Sequence, residues 1–180
     1  MKNIQLLVFI GVTIFSCTTN DQAVDNFNNC ITTQQQEALR DLETVCDTFI
    51  KFNYPDMSID QGYRKFLKDI ELENDTWKTN DSGSVMNVNR TLKKAFGDGY
   101  DEEMAVFNLL STLTNCLEKT SNNRFVDDFI KTSMSSGGGD GPNMVGWRII
   151  NRKADPMSGQ IKIIYLTEVV YRTLYFRTIR

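Results

Sequence analysis

With no histidine in its 180 residues, the chain lacks the commonest general base, proton shuttle and metal ligand. Chemistry would fall to carboxylates, thiols, hydroxyls and lysines. Acids are densest at Asp98, Asp101, Glu102 and Glu103, around Gly97 and Gly99. A calcium loop needs alternating oxygen ligands, a central glycine and a bidentate acid at its twelfth place, and this stretch has no such order. It reads as a turn and then a helix start, with acids where the helix dipole favours them. Asp127 and Asp128 are adjacent, so on a helix they point about 100° apart and cannot face each other as an acid pair. The run from Ser135 to Pro142 is rich in glycine but lacks the Gly-Lys-Ser/Thr ending of a phosphate cradle. No catalytic residue, metal or cofactor is therefore expected. The enzyme route left open is a pair of acids distant in the chain that meet in the fold, as glycan hydrolysis requires.

Charge is distributed unevenly. From Cys17 to Val145 the balance is −9, and from Gly146 to Arg180 it is +5. Arg148, Arg152, Lys153, Lys162, Arg172 and Arg177 make this last segment the expected surface for an anionic partner: a phospholipid headgroup, an acidic glycan or an acidic protein. A solvated strand face whose charges blunt its edge is the plainer alternative. Nucleic acid is not an expected partner.

The N-terminus speaks of compartment. Met1-Lys2-Asn3 precedes an apolar run, Ile4 to Phe15, that ends at Ser16-Cys17 and gives way at once to Thr18, Thr19, Asn20 and Asp21. A basic start, a short apolar core and a small residue at the cut describe a signal peptide over 1–16, too short to span a membrane as a helix. Ile14, Ser16 and Cys17 resemble the lipobox of bacterial lipoproteins, although Phe15 is bulkier than the usual small residue. The resemblance implies cleavage before Cys17, lipidation of its thiol and a membrane anchor in the cell envelope. Residues 17–33 then read as anchor and flexible tether, and 34–180 as one α+β domain.

Helical periodicity dominates the first part, 34–134. Ala38, Leu42, Val45, Cys46, Phe49 and Ile50 form a stripe over Glu37 to Phe52. Ser58 to Gln61 reads as a capping box opening a second helix. A third is expected from about Ser84 to Phe96, closed by Gly97, a fourth from Asp101 to Leu117 and a fifth from Arg124 to Met134. Beyond a glycine-rich hinge at 135–143, the segment 144–180 is rich in isoleucine, valine, tyrosine and threonine. From Lys162 to Arg180 its polar groups spread all round a helical projection. It reads as an antiparallel hairpin or three-stranded sheet, reversing at Asp155 to Gly159 and packed on the helices.

Three cysteines follow Cys17, and spacing alone cannot separate their three possible pairs. Cys46 and Cys116 both lie on apolar stripes, so both are expected to be buried and, if bonded, to clamp the first and fourth helices. Cys30 competes as a partner. The expected function is that of a membrane-anchored, non-enzymatic binding or interaction module of the envelope, with a carboxylate-dependent glycan enzyme or a structural envelope component as alternatives.

Overall fold

The computed structural model describes residues 18–74, 76–79, 81–108, 111–135 and 140–179. The expected signal peptide, Cys17 and residues 136–139 of the hinge lie outside them. Helices dominate an α+β architecture. In chain order they are α1 (Thr18–Cys30), α2 (Thr33–Asn53), α3 (Ile59–Glu71), α4 (Ser82–Phe96), α5 (Thr112–Thr120), α6 (Arg124–Ser135), α7 (Pro142–Asn151), α8 (Gly159–Ile164) and α9 (Arg172–Thr178). Between α4 and α5 a two-stranded antiparallel sheet pairs β1 (Tyr100–Asp101) with β2 (Val106–Phe107).

Local chemistry sets the boundaries. Thr32 and Ser58 each accept from the backbone N–H three residues on, while Gln35 and Gln61 reach back to the cap N–H. These reciprocal pairs satisfy amide groups that a helix start leaves orphaned. Gly97 closes α4 at φ +56°, where a Cβ would be strained. The apolar stripes of α2, α3, α4 and α6 face the core, most of their residues buried and Val45, Ile59, Ala95 and Phe129 partly so.

Five expectations need correction. Residues 18–30 form a helix and not a flexible tether, because Ala23, Phe27 and Ile31 fall four residues apart on one face and all are buried. The fourth helix does not start at Asp101. Asp101 Oδ1 accepts from the backbone N–H groups of Glu103 and Met104, and Ala105 takes φ +48°, so these acids build the β1–β2 turn. The helix starts only after Ser111, whose Oγ accepts from Thr114 N–H. Gly141 and Pro142 belong to a helix start, with proline at a first-turn position where its missing N–H costs nothing.

The largest correction is the C-terminal segment. No strand forms over 144–179; α7 occupies 142–151, and α8, a π-helical stretch at Tyr165–Tyr171 and α9 follow head to tail. The junction residues Ile164, Tyr165, Tyr171 and Arg172 all keep right-handed helical dihedrals, so Gly159 to Thr178 is one continuous helix. Every residue from Ile164 to Arg172 is buried. A helix covered on all sides needs no polar face, which explains why its sequence shows none. The turn chemistry at Asp155 is real: Met157 N–H donates to Asp155 Oδ1 at 3.1 Å, and the turn leads into α8.

This central helix is the axis of the core, touching α2, α7 and β2 through its π-helical stretch and α1 and α6 through α8. Its buried tyrosines find acceptors: Tyr165 donates to Tyr63 O at 2.7 Å and Tyr171 to Val85 O at 3.1 Å. Such partners remove the penalty of burying a hydroxyl. The disulfide joins Cys30 to Cys116, not Cys46 to Cys116. Cys46 is a free thiol, fully buried among apolar neighbours, and burial pushes its pKa up. The stripe reading placed Cys46 and Cys116 in the core correctly; what it missed is that α1 packs against α5 and brings Cys30 to Cys116.

Candidate ligand groove and the fate of the basic residues

A groove of 390 Å³ opens where α1, α2 and the central helix meet. Val24, Phe27 and Ile31 line it from the α1 side, Leu39 and Leu42 from α2, and Ile163 and Leu166 from the central helix. The rim is polar. Lys162 forms an ion pair with Glu43 across it, and Arg40 stands beside them with its side chain 65% exposed. Gln36 Nε2 donates to Asn28 O at 2.7 Å, tying α2 to α1 at the groove's edge. The disulfide holds the C-terminal end of α1 on α5, so this wall is covalently fixed at one end. An apolar floor under a few convergent polar groups is the usual make-up of a small-molecule site.

The basic residues do not share one surface. Arg172 is 3% exposed, with Nη1 donating to Asp140 O at 2.7 Å and to Glu168 Oε2 at 3.2 Å. Arg148 pairs with Asp140 at 2.7 Å and Arg152 with Asp128 at 3.2 Å. Arg177 lies 5.3 Å from the centre of the Trp77 ring and donates to Trp77 O at 3.1 Å. Lys162 is held by Glu43, and Lys153 sits in the turn after α7 at φ +51°. The basic residues expected to form one face over 144–180 are thus not brought together: helical geometry sends their side chains in different directions, and four of them end in ion pairs with acids of the chain.

Glu168 is the most perturbed carboxyl among the described residues. Burial pushes its pKa up to about 7, against the pull of the Arg172 guanidinium and a hydrogen bond from the Phe107 backbone. It faces a cavity of only 30 Å³ that Asp140, Ser133 and Thr167 also line. That space suits a water molecule and no sugar ring. Thr167 lines both this cavity and the groove, so the π-helical stretch is the wall between them. π-helical turns inside α-helices are frequent at functional sites. Asp98, Asp101, Glu102 and Glu103 gather no metal-binding cluster among the described residues.

Sequence reading missed the groove altogether. Its walls come from residues up to 143 positions apart in the chain, from Val24 to Thr167, and only the Ala23–Phe27–Ile31 spacing hinted at one of them. Compared with known proteins, the chain matches no family model, no curated protein and no solved structure.

Proposed function

We propose that the protein is a bacterial envelope lipoprotein anchored through Cys17, and that its body is a non-enzymatic binding module for an amphiphilic small molecule. The observation that carries this reading is the groove between α1, α2 and the central helix. Its volume of 390 Å³ lies within the range of ligand pockets. Its apolar floor suits a hydrocarbon body, and an acidic end would meet Arg40, which is 4.0 Å from Glu37, and Lys162, which it would share with Glu43. The lipobox resemblance supports the anchor. Thr18, next to Cys17, already opens α1, a helix about 20 Å long, so an anchored groove lies close to the membrane surface.

A carboxylate-dependent enzyme draws on one observation, the raised pKa of Glu168. Its cavity is too small for a glycan and its charge is already matched by Arg172. Binding is the better supported reading. Calorimetric titration of the lipid-free mature chain with dodecanoate tests it. Leu39→Glu, which puts a charge on the groove floor, should weaken binding by about tenfold or more while leaving the helical spectrum unchanged. Absence of binding, or equal binding by the variant, would sink the proposal. The anchor is tested separately: mass spectrometry of the N-terminus should find a triacylated Cys17, and an unmodified thiol there would rule it out.

A further inference from the structure

Most cations of the C-terminal segment are answered inside the fold; Lys153 is not, and it lies beside Arg124 of α6 and the Asp128-paired Arg152. Arg124 opens α6, while Arg152 and Lys153 follow the last residue of α7. All three line a hollow of 400 Å³ between α6 and the turn leading to α8. A second hollow of 210 Å³ shares Phe125, Asp128 and Arg152 with it and includes Trp147 on α7. The two form one shallow double site, with the Arg152–Asp128 ion pair where they join. No residue of this double site lines the groove described above.

Three features mark it as more than a solvated face. Trp147 is 55% exposed, so a large aromatic surface is left in water beside fixed charges. Among the described residues neither Arg124 nor Lys153 belongs to an ion pair. Lys153 also occupies a position that glycine would fill more easily. Its N–H donates to Ile150 O and the N–H of Ala154 to Ile149 O, the paired bonds that close a helix around a left-handed residue. The hollow's two acids are engaged, Asp128 by Arg152 and Asp155 by Arg64, so a lysine held at φ +51° at its edge is backbone strain located where a ligand would benefit from the charge.

We propose that this double hollow binds an anionic saccharide. The indole of Trp147 offers a flat apolar face for a sugar ring, while Arg124, Arg152 and Lys153 meet a carboxylate or phosphate. Asp128 and Asn151, in the same lining, supply an acceptor and a donor for hydroxyl groups. Two adjoining hollows that share Phe125, Asp128 and Arg152 suit successive rings of a chain better than a compact ion. A phospholipid headgroup would use the cations alone, whereas Asp128, beyond its bond to Arg152, and the second N–H of Asn151, whose first is given to Trp147 O at 2.9 Å, add sites for hydroxyl groups.

The test titrates the lipid-free mature chain with trigalacturonate, trimannuronate and glucose 6-phosphate, against maltotriose and inorganic phosphate, by calorimetry and tryptophan fluorescence. At least one acidic saccharide should bind about tenfold more tightly than either control. Trp147→Ala and the Arg124→Ala/Lys153→Ala pair should each weaken it by about tenfold or more, with unchanged far-ultraviolet spectra. Lys153→Gly removes the cation while relieving the backbone, so it should weaken binding without lowering the unfolding midpoint. Leu39→Glu in the separate groove should leave saccharide binding intact. The proposal is overturned if none of the three acidic saccharides binds at millimolar concentration. Equal binding of maltotriose or phosphate, indifference to the substitutions, or binding to anionic vesicles alone would overturn it as well.

Discussion

Glu168 carries the clearest pH signature of the molecule. Its folded pKa of about 7 lies above the ordinary glutamate value of 4.5, so the folded chain holds this proton more tightly than the unfolded one. Below pH 4.5 both states are protonated and the contribution is complete. As pH rises from 4.5 to about 7 the unfolded chain releases the proton first, and stability falls, by up to about 3 kcal/mol. Glu168→Gln keeps the shape and removes the titration. Urea unfolding at pH 5 and pH 7.5 should therefore show a smaller loss for the variant than for the parent chain; equal losses would mean that Arg172 holds the carboxylate ionised throughout. Cys46 makes a second residue-level prediction. Without reductant, it should resist thiol labelling in the native state and, of Cys30, Cys46 and Cys116, be the one that labels after denaturation.

Among the elements, α1 depends most on a single bond. Its stripe is short, Ala23, Phe27 and Ile31, and the disulfide closes a loop spanning a sequence separation of 86. On the chain-entropy account such a loop stabilises by about 4–5 kcal/mol. Cys30→Ala should lower stability by an amount of that order in chemical denaturation and loosen the groove wall, read as faster amide exchange over 22–31 than over α3. The α2–α3 crossing is equally specific. A Cβ on Gly62 would come within 2.5 Å of Ile50 Cγ2, a buried side chain with nowhere to go. Gly62→Ala gains up to ~1 kcal/mol of helix propensity and meets an overpacking cost of ~1–3 kcal/mol. The expected net effect is a loss of about 1 kcal/mol, measured as a lower urea midpoint. Elements were legible in proportion to their exposure. α2, α3, α4 and α6 each present one wet face, so their apolar spacing and caps appear directly in the residue order.

For the whole molecule, the central helix makes the fold a single cooperative body. Its residues Tyr165 to Tyr171 pack on α2, α7 and β2 at once, so the buried faces of the part before Pro142 are completed by it. A chain of residues 17–134 is expected to show helical signal without the near-ultraviolet signature of fixed tyrosines, whereas 17–180 shows both. Native-like near-ultraviolet dichroism in the shorter chain would show that the helical part folds alone. The sequence by itself determined the amphipathic helices, their caps, the burial of Cys46 and Cys116, and the absence of histidine chemistry. These are local matters, settled by spacing of a few residues and by residue type. Tertiary structure alone decided the rest. Ile161 to Tyr175 carries β-branched residues and aromatics that favour strands, yet burial on every side from Ile164 to Arg172 stabilises it as a helix, because packing outweighs a propensity of a few tenths of a kcal/mol per residue. Which cysteine meets Cys116, which acids answer Arg148, Arg172 and Lys162, and where Trp147 comes to lie beside Arg152 all depend on contacts between distant segments. Residue order records the groups available for such contacts, and only the packed chain selects the partners.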